Sequence, residues 1–119
     1  METITLERTG ERNLRFKGKM LGSASSHWIN GVEQNRWTEY EIYKTETGKY
    51  VVAISSITCW QGEVNSYQVE VCDTPEEVYN CLTDSEGHGY CLLSNQAKKA
   101  LEEAAEKEPE LERVLVEEI

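Results

Sequence analysis

The chain has 119 residues, with 12 Lys and Arg against 22 Asp and Glu, and a formal net charge of −10. That length fits one domain whose core needs neither metal nor disulfide staples, and the charge repels duplex nucleic acid unless a local basic patch answers it. No stretch approaches the roughly 20 apolar residues of a membrane span, and the charged start METITLERTG lacks the apolar block of a signal peptide, so a cytoplasmic protein is expected.

Period-two alternation in the front half marks half-buried strands. In TITLER, Ile4 and Leu6 share a face, and in NLRFKGKM the face is shared by Leu14, Phe16, Gly18 and Met20, with TGER as the turn between. The same alternation lines Arg15, Lys17 and Lys19 along the opposite face. Like charges at adjacent same-face positions repel unless something anionic answers them. Two answers are open: Glu7, Glu39 or Glu41 on neighbouring strands, giving a solvated charge lattice, or an anionic ligand in a groove. Next, SASSHWINGVEQN reads as a long connection with a turn at Asn30-Gly31. It carries His27 and Trp28, and no core role for Trp28 is evident.

RWTEYEIYKTETGKYVVAISSITCW reads as two strands, about residues 37–44 and 50–60, closed by residues 45–48 with Gly48 at positive φ. The second is apolar on both faces from Val51 to Ile54, which suits a central strand. In the following ITCWQGEVNSYQV a cysteine stands beside a tryptophan, and a tight hairpin there sets Trp60 opposite Tyr67. The last strand, SYQVEVC, turns Tyr67, Val69 and Val71 inward.

At DTPEEVYNCL the pattern switches to helix. Thr74 is the cap, Pro75 suits the first position, and Glu77 completes an S/T-x-x-E capping box, followed by Val78, Cys81 and Leu82 as a short apolar stripe. After TDSEGHG, Ser94 caps a second helix in which Ala97, Ala100, Leu101, Ala104 and Ala105 recur at helical spacing, and Pro109 ends or kinks it. The expected fold is therefore α+β: one domain over residues 1–119, with about five antiparallel strands in a meander over 1–72 and two helices on one face over 73–119. Charge divides the same way. Residues 1–72 hold 8 Lys and Arg against 9 Asp and Glu, and residues 73–119 hold 4 against 13.

The segments RFKGKMLG, EYEIYKTETGKYVVAI, YQVEVCDTPEEVYNCL and KEPELERVL, in that order, resemble the EXLDI family, small proteins of bacteria, plasmids and other mobile elements. The resemblance implies this order of elements and a phage or mobile-element setting. It supplies no catalytic residues.

Chemistry-bearing motifs are few. The cysteines Cys59, Cys72, Cys81 and Cys91 are spaced 13, 9 and 10 apart, without the C-x-x-C of a zinc or redox centre, and are expected as reduced, mostly buried thiols. A nucleophilic Cys59 needs a base. The two histidines, His27 and His88, fall in loops with no orienting motif, so Cys59 reads as a buried strand cysteine. Neither a phosphate-binding glycine loop nor a hydrolase or zinc-protease signature occurs. A row of cations beside tryptophans suits a nucleobase-phosphate ligand. The expectation is a non-enzymatic protein without cofactor or metal that captures a nucleotide-like anion through Arg15, Lys17, Lys19, His27, Trp28, Arg36 and Trp37. The alternative is an interaction module whose acidic helical half covers a basic host protein, mimicking nucleic acid. Pairing of two copies through the first strand's edge is compatible with either.

Overall fold

The computed structural model describes residues 1–84 and 93–116, so His88 and Cys91 lie outside the described residues. In chain order the elements are β1 (Glu2–Leu6), β2 (Leu14–Ser25), β3 (Trp28–Ile29), β4 (Val32–Glu33), β5 (Arg36–Thr45), β6 (Tyr50–Thr58), β7 (Ser66–Cys72), α1 (Pro75–Asp84), α2 (Asn95–Lys107) and a 3₁₀ helix (Pro109–Val114). Five strands form one antiparallel sheet in the order β1-β2-β5-β6-β7, and β3 and β4 make a separate two-stranded ribbon. The α+β architecture agrees with the alternation and the helix caps. β6 is interior, with Tyr50 to Ile54 buried, but the middle place belongs to β5.

The segment expected as a long connection is shorter than its composition suggests, because β2 runs on to Ser25. The turn at Asn30-Gly31 is present, both residues having positive φ (51° and 78°), as a two-residue hairpin turn requires. Gly48 has φ 89° in the β5–β6 turn.

Each face of the sheet has its own apolar cluster. On one, Leu21, Ile42, Tyr50, Val52 and Cys72 pack against Val78 and Leu82 of α1, Ala100, Leu101 and Ala104 of α2, and Leu111 of the 3₁₀ helix. On the other, Tyr43, Val51, Ala53 and Val69 are covered by Ile4, Leu6, Leu14 and Phe16. That covering layer is the front half of the sheet itself. β2 pairs with β5 only from Gly18 onward, so residues 2–17 run past the end of β5 and fold back, with Phe16 edge-on to Tyr43 at 5.5 Å between centroids. Gly18 permits the bend: a Cβ there would stand 2.3 Å from the Lys44 carbonyl oxygen. The curl is fastened where Thr9 N donates to Tyr67 O (2.9 Å) and Tyr67 N to Thr9 Oγ1 (2.7 Å).

A bulge between Met20 and Gly22 explains a second departure from simple alternation. Leu21 is the extra residue and is fully buried under the helices, whereas Met20, expected inside with Phe16, is 40% exposed. On β7, Val69 is buried as expected but Val71 is exposed.

Both helices begin as the sequence indicates. Glu77 N donates to Thr74 Oγ1 (3.3 Å), although the Glu77 carboxylate takes the amide of Asp73 rather than that of the cap itself. Ala97 N donates to Ser94 Oγ (3.1 Å). After Pro109 the 3₁₀ helix is held to the sheet by Glu110, which accepts from Tyr50 Oη and lies 3.4 Å from Lys44 Nζ.

Candidate functional site

Alternation on β5 sends Arg36 and Thr38 to the helix side of the sheet and Trp37, Glu39 and Glu41 to the other. The residues expected to form one ligand site therefore separate. Lys19 lies opposite Lys44 at the far end of β5, eight positions from Arg36, which at about 3.4 Å per residue is roughly 27 Å. No nucleotide-sized ligand touches both ends. Within the row, Arg15 Nε donates to the hydroxyl of its cross-strand partner Thr5 (3.1 Å). Among the described residues no carboxylate pairs with Arg15, Lys17 or Lys19. Glu39 and Glu41 face Ser25 and Ser23 instead, where they accept from the Trp37 indole (2.9 Å) and the Tyr43 hydroxyl (2.7 Å).

At the Arg36 end, two groups form on opposite faces. His27 stacks on Trp37, with centroids 3.7 Å apart and planes 14° apart, and its Nε2 lies 3.4 Å from Glu33. Trp28 stands beside it on the β3–β4 ribbon, 58% exposed. On the helix side, Arg36 and the β6–β7 loop border a cleft of about 430 Å³ whose lining includes Ser26, Thr38, Ser56, Thr58 and Glu63, and also Trp37. Thr38 and Ser56 are cross-strand partners, so their side chains share this face.

The β6–β7 loop carries the residues that sequence reasoning missed. β6 ends at Thr58 and the ladder to β7 begins with Ser56 opposite Ser66, so Tyr67 faces Ser55 and the expected Trp60–Tyr67 pair does not form. Thr58 ties off the strand: its amide donates to Asn65 Oδ1 (2.9 Å), and its hydroxyl donates to Glu63 Oε1 (2.6 Å) and accepts from Trp60 N (3.1 Å). Trp60 is thereby placed in a loop, 52% exposed, with the Arg36 guanidinium 5.8 Å from its ring centroid. Cys59 is likewise exposed rather than buried in a strand, its thiol directed to the Asn35 carbonyl oxygen (3.3 Å).

Arg36 and Glu63 form a two-pronged pair, Nε to Oε1 at 2.9 Å and a terminal nitrogen to Oε2 at 2.8 Å. The Arg36 hydrogen bond, then that of Thr58, pulls the Glu63 carboxyl down to about 2, and the same pairing raises Arg36. The loop is thus latched over the cleft by a bond that an incoming anion would contest. No group of His, Cys, Asp and Glu among the described residues is arranged to hold a metal, and no described helix is long and apolar enough to cross a membrane. No family model, no curated protein and no solved structure matches the chain.

Proposed function

We propose that the chain is a non-enzymatic binding protein, of the phage or mobile-element type implied by its resemblance to the EXLDI family, that captures a ring-bearing anion such as a nucleotide in the Arg36 cleft. The observation that carries this is Arg36, whose guanidinium lies 5.8 Å from the centre of the exposed Trp60 ring and which itself lines a cleft of about 430 Å³ with hydroxyls along its strands. That volume is in the range of small-molecule sites. The planar fork of Arg36 suits a phosphate as well as it suits the Glu63 carboxylate, and an aromatic face stacks any base. Capture rather than turnover is supported by the contacts of the two groups closest to catalytic types. Cys59 bonds to Asn35, and His27 is held by Trp37 and Glu33.

Isothermal titration with AMP, GMP and inorganic phosphate tests this. The nucleotides should bind and phosphate alone should bind more weakly. Arg36→Ala and Trp60→Ala should each weaken nucleotide binding at least about tenfold, while Glu63→Gln should strengthen it by removing the competing carboxylate. Arg15→Ala, at the remote end, should change nothing. No heat with any nucleotide would sink the reading.

The exposure of Glu102, Glu103 and Glu106 on α2 favours a second reading, in which the acidic half covers a basic protein. Salt-sensitive binding to such a protein, lost on reversing Glu102 and Glu103, would decide for it.

A further inference from the structure

A different part of the molecule carries chemistry of its own. Cys72, the last residue of β7, and Cys81, in the middle of α1, bring their sulfurs to 3.4 Å without a disulfide between them. Cys72 is 1% exposed and Cys81 is partly exposed. Both line a cleft of about 380 Å³ whose other walls include Gln68, Glu70, Glu77 and Asn80. Cys81 is the more accessible of the two thiols, and two carboxylates share the lining with it.

We propose that Cys72 and Cys81 are an oxidisable dithiol site, converted to a disulfide by small cationic or neutral disulfides that enter through the acidic cleft. The Cys81 thiolate attacks the reagent R–S–S–R, forming Cys81–S–S–R and releasing one R–S⁻. Cys72 then gives up its proton and attacks the Cys81 sulfur, expelling the second R–S⁻. Two protein thiols are oxidised to one disulfide, and the reagent is reduced to two thiols. The sulfurs close from 3.4 Å to about 2 Å, joining the edge of the sheet to the helix beside it. The second step needs no diffusion, which compensates for a Cys72 thiol that Cys81 and burial both hold well above the ordinary range. Glu77 and Glu70 face that thiol from α1 and β7, and they set the charge preference: an anionic reagent is repelled and a cationic one attracted.

The test uses the full chain with cystamine, with 3,3′-dithiodipropionate as the anionic comparison, followed by alkylation and peptide mapping. Cystamine should give an intramolecular Cys72–Cys81 cross-link, 2 Da lighter than the dithiol and reversed by dithiothreitol. At low ionic strength cystamine should react at least about threefold faster than the anion, and high salt should erase the difference. Cys72→Ser should leave a stable cystamine adduct on Cys81. The wild-type map does not depend on that variant folding. A stable adduct on Cys81 with Cys72 still alkylated, a cross-link to Cys59 or Cys91 instead, or no reaction at this pair would overturn the site. Equal rates for the two reagents would overturn its charge preference.

Discussion

Lys19 of β2 stands directly opposite Lys44 of β5, and among the described residues only Lys44 is answered by a carboxylate. The carboxylates of Glu108 and Glu110 lie 3.5 and 3.4 Å from its Nζ, and its charge also sits 4.2 Å from the centre of the Tyr50 ring. Like charges opposed across a ladder repel, and opposite charges there are worth a few tenths to about 1 kcal/mol. Lys19→Glu is therefore expected to stabilise the protein by about 0.5–1 kcal/mol in urea unfolding, and more at low salt than at high.

Gly22 and Gly48 make a paired test of why each glycine is there. A Cβ at Gly22 would stand 2.2 Å from the Ala100 carbonyl oxygen and 2.7 Å from the Ala104 amide nitrogen, backbone atoms of a packed helix that cannot step aside. Gly22→Ala should cost about 3 kcal/mol, as overpacking at a close contact does. Gly48 has open space around it and φ 89°, so Gly48→Ala should cost only the left-handed penalty of about 1–2 kcal/mol. Denaturant midpoints of the two variants check the order.

How far the sequence reaches is clear from such positions. Alternation placed Ile4, Leu6, Leu14 and Phe16 on one face, and the Thr74 and Ser94 caps marked both helices, because these signals are local. Alternation cannot report that Leu21 is one residue too many, nor that Gly18 bends the strand, since both depend on what packs across from them. The Arg36 cleft was half legible. Arg36 and Trp37 stand out in the sequence and both line the cleft, although alternation sends their side chains to opposite faces. The registration of Trp60 failed because side-chain bonds from Thr58 to Glu63 and Asn65 end the ladder early, and a run of seven loop residues carries no signal of those bonds in its composition.

The latch makes an acid-side prediction. Glu63 is held down to about 2 by Arg36 and Thr58, so its contribution is complete above the ordinary carboxylate range and fades as pH falls through about 2. Carboxyl-carbon NMR should show a Glu63 midpoint near 2 in the wild type. In Arg36→Gln it should move up toward 4.5, stopping short because the Thr58 hydroxyl bond remains.

At the alkaline end Tyr50 is the group to follow. Burial, then its bond to Glu110, raises its phenol to about 12 from 10.0. The unfolded chain ionises first, so stability is fully present below pH 10 and declines between 10 and 12. Urea midpoints at pH 9 and pH 11.5 should differ in the wild type and differ less in Tyr50→Phe. Some slope should persist, because burial and the Glu41 bond raise Tyr43 as well.

The bonds between Thr9 and Tyr67 join positions 58 apart in the chain and close the curl of the sheet. The packing of the front hairpin on the rest of the sheet also joins distant positions, as Phe16 on Tyr43 does, while the β5–β6 hairpin and the capped helices are made of near neighbours. High contact order is paid for in search time. Residues 2–17 are thus expected among the last to find their place on the sheet, leaving the apolar surface of Tyr43, Val51, Ala53 and Val69 wet until they do.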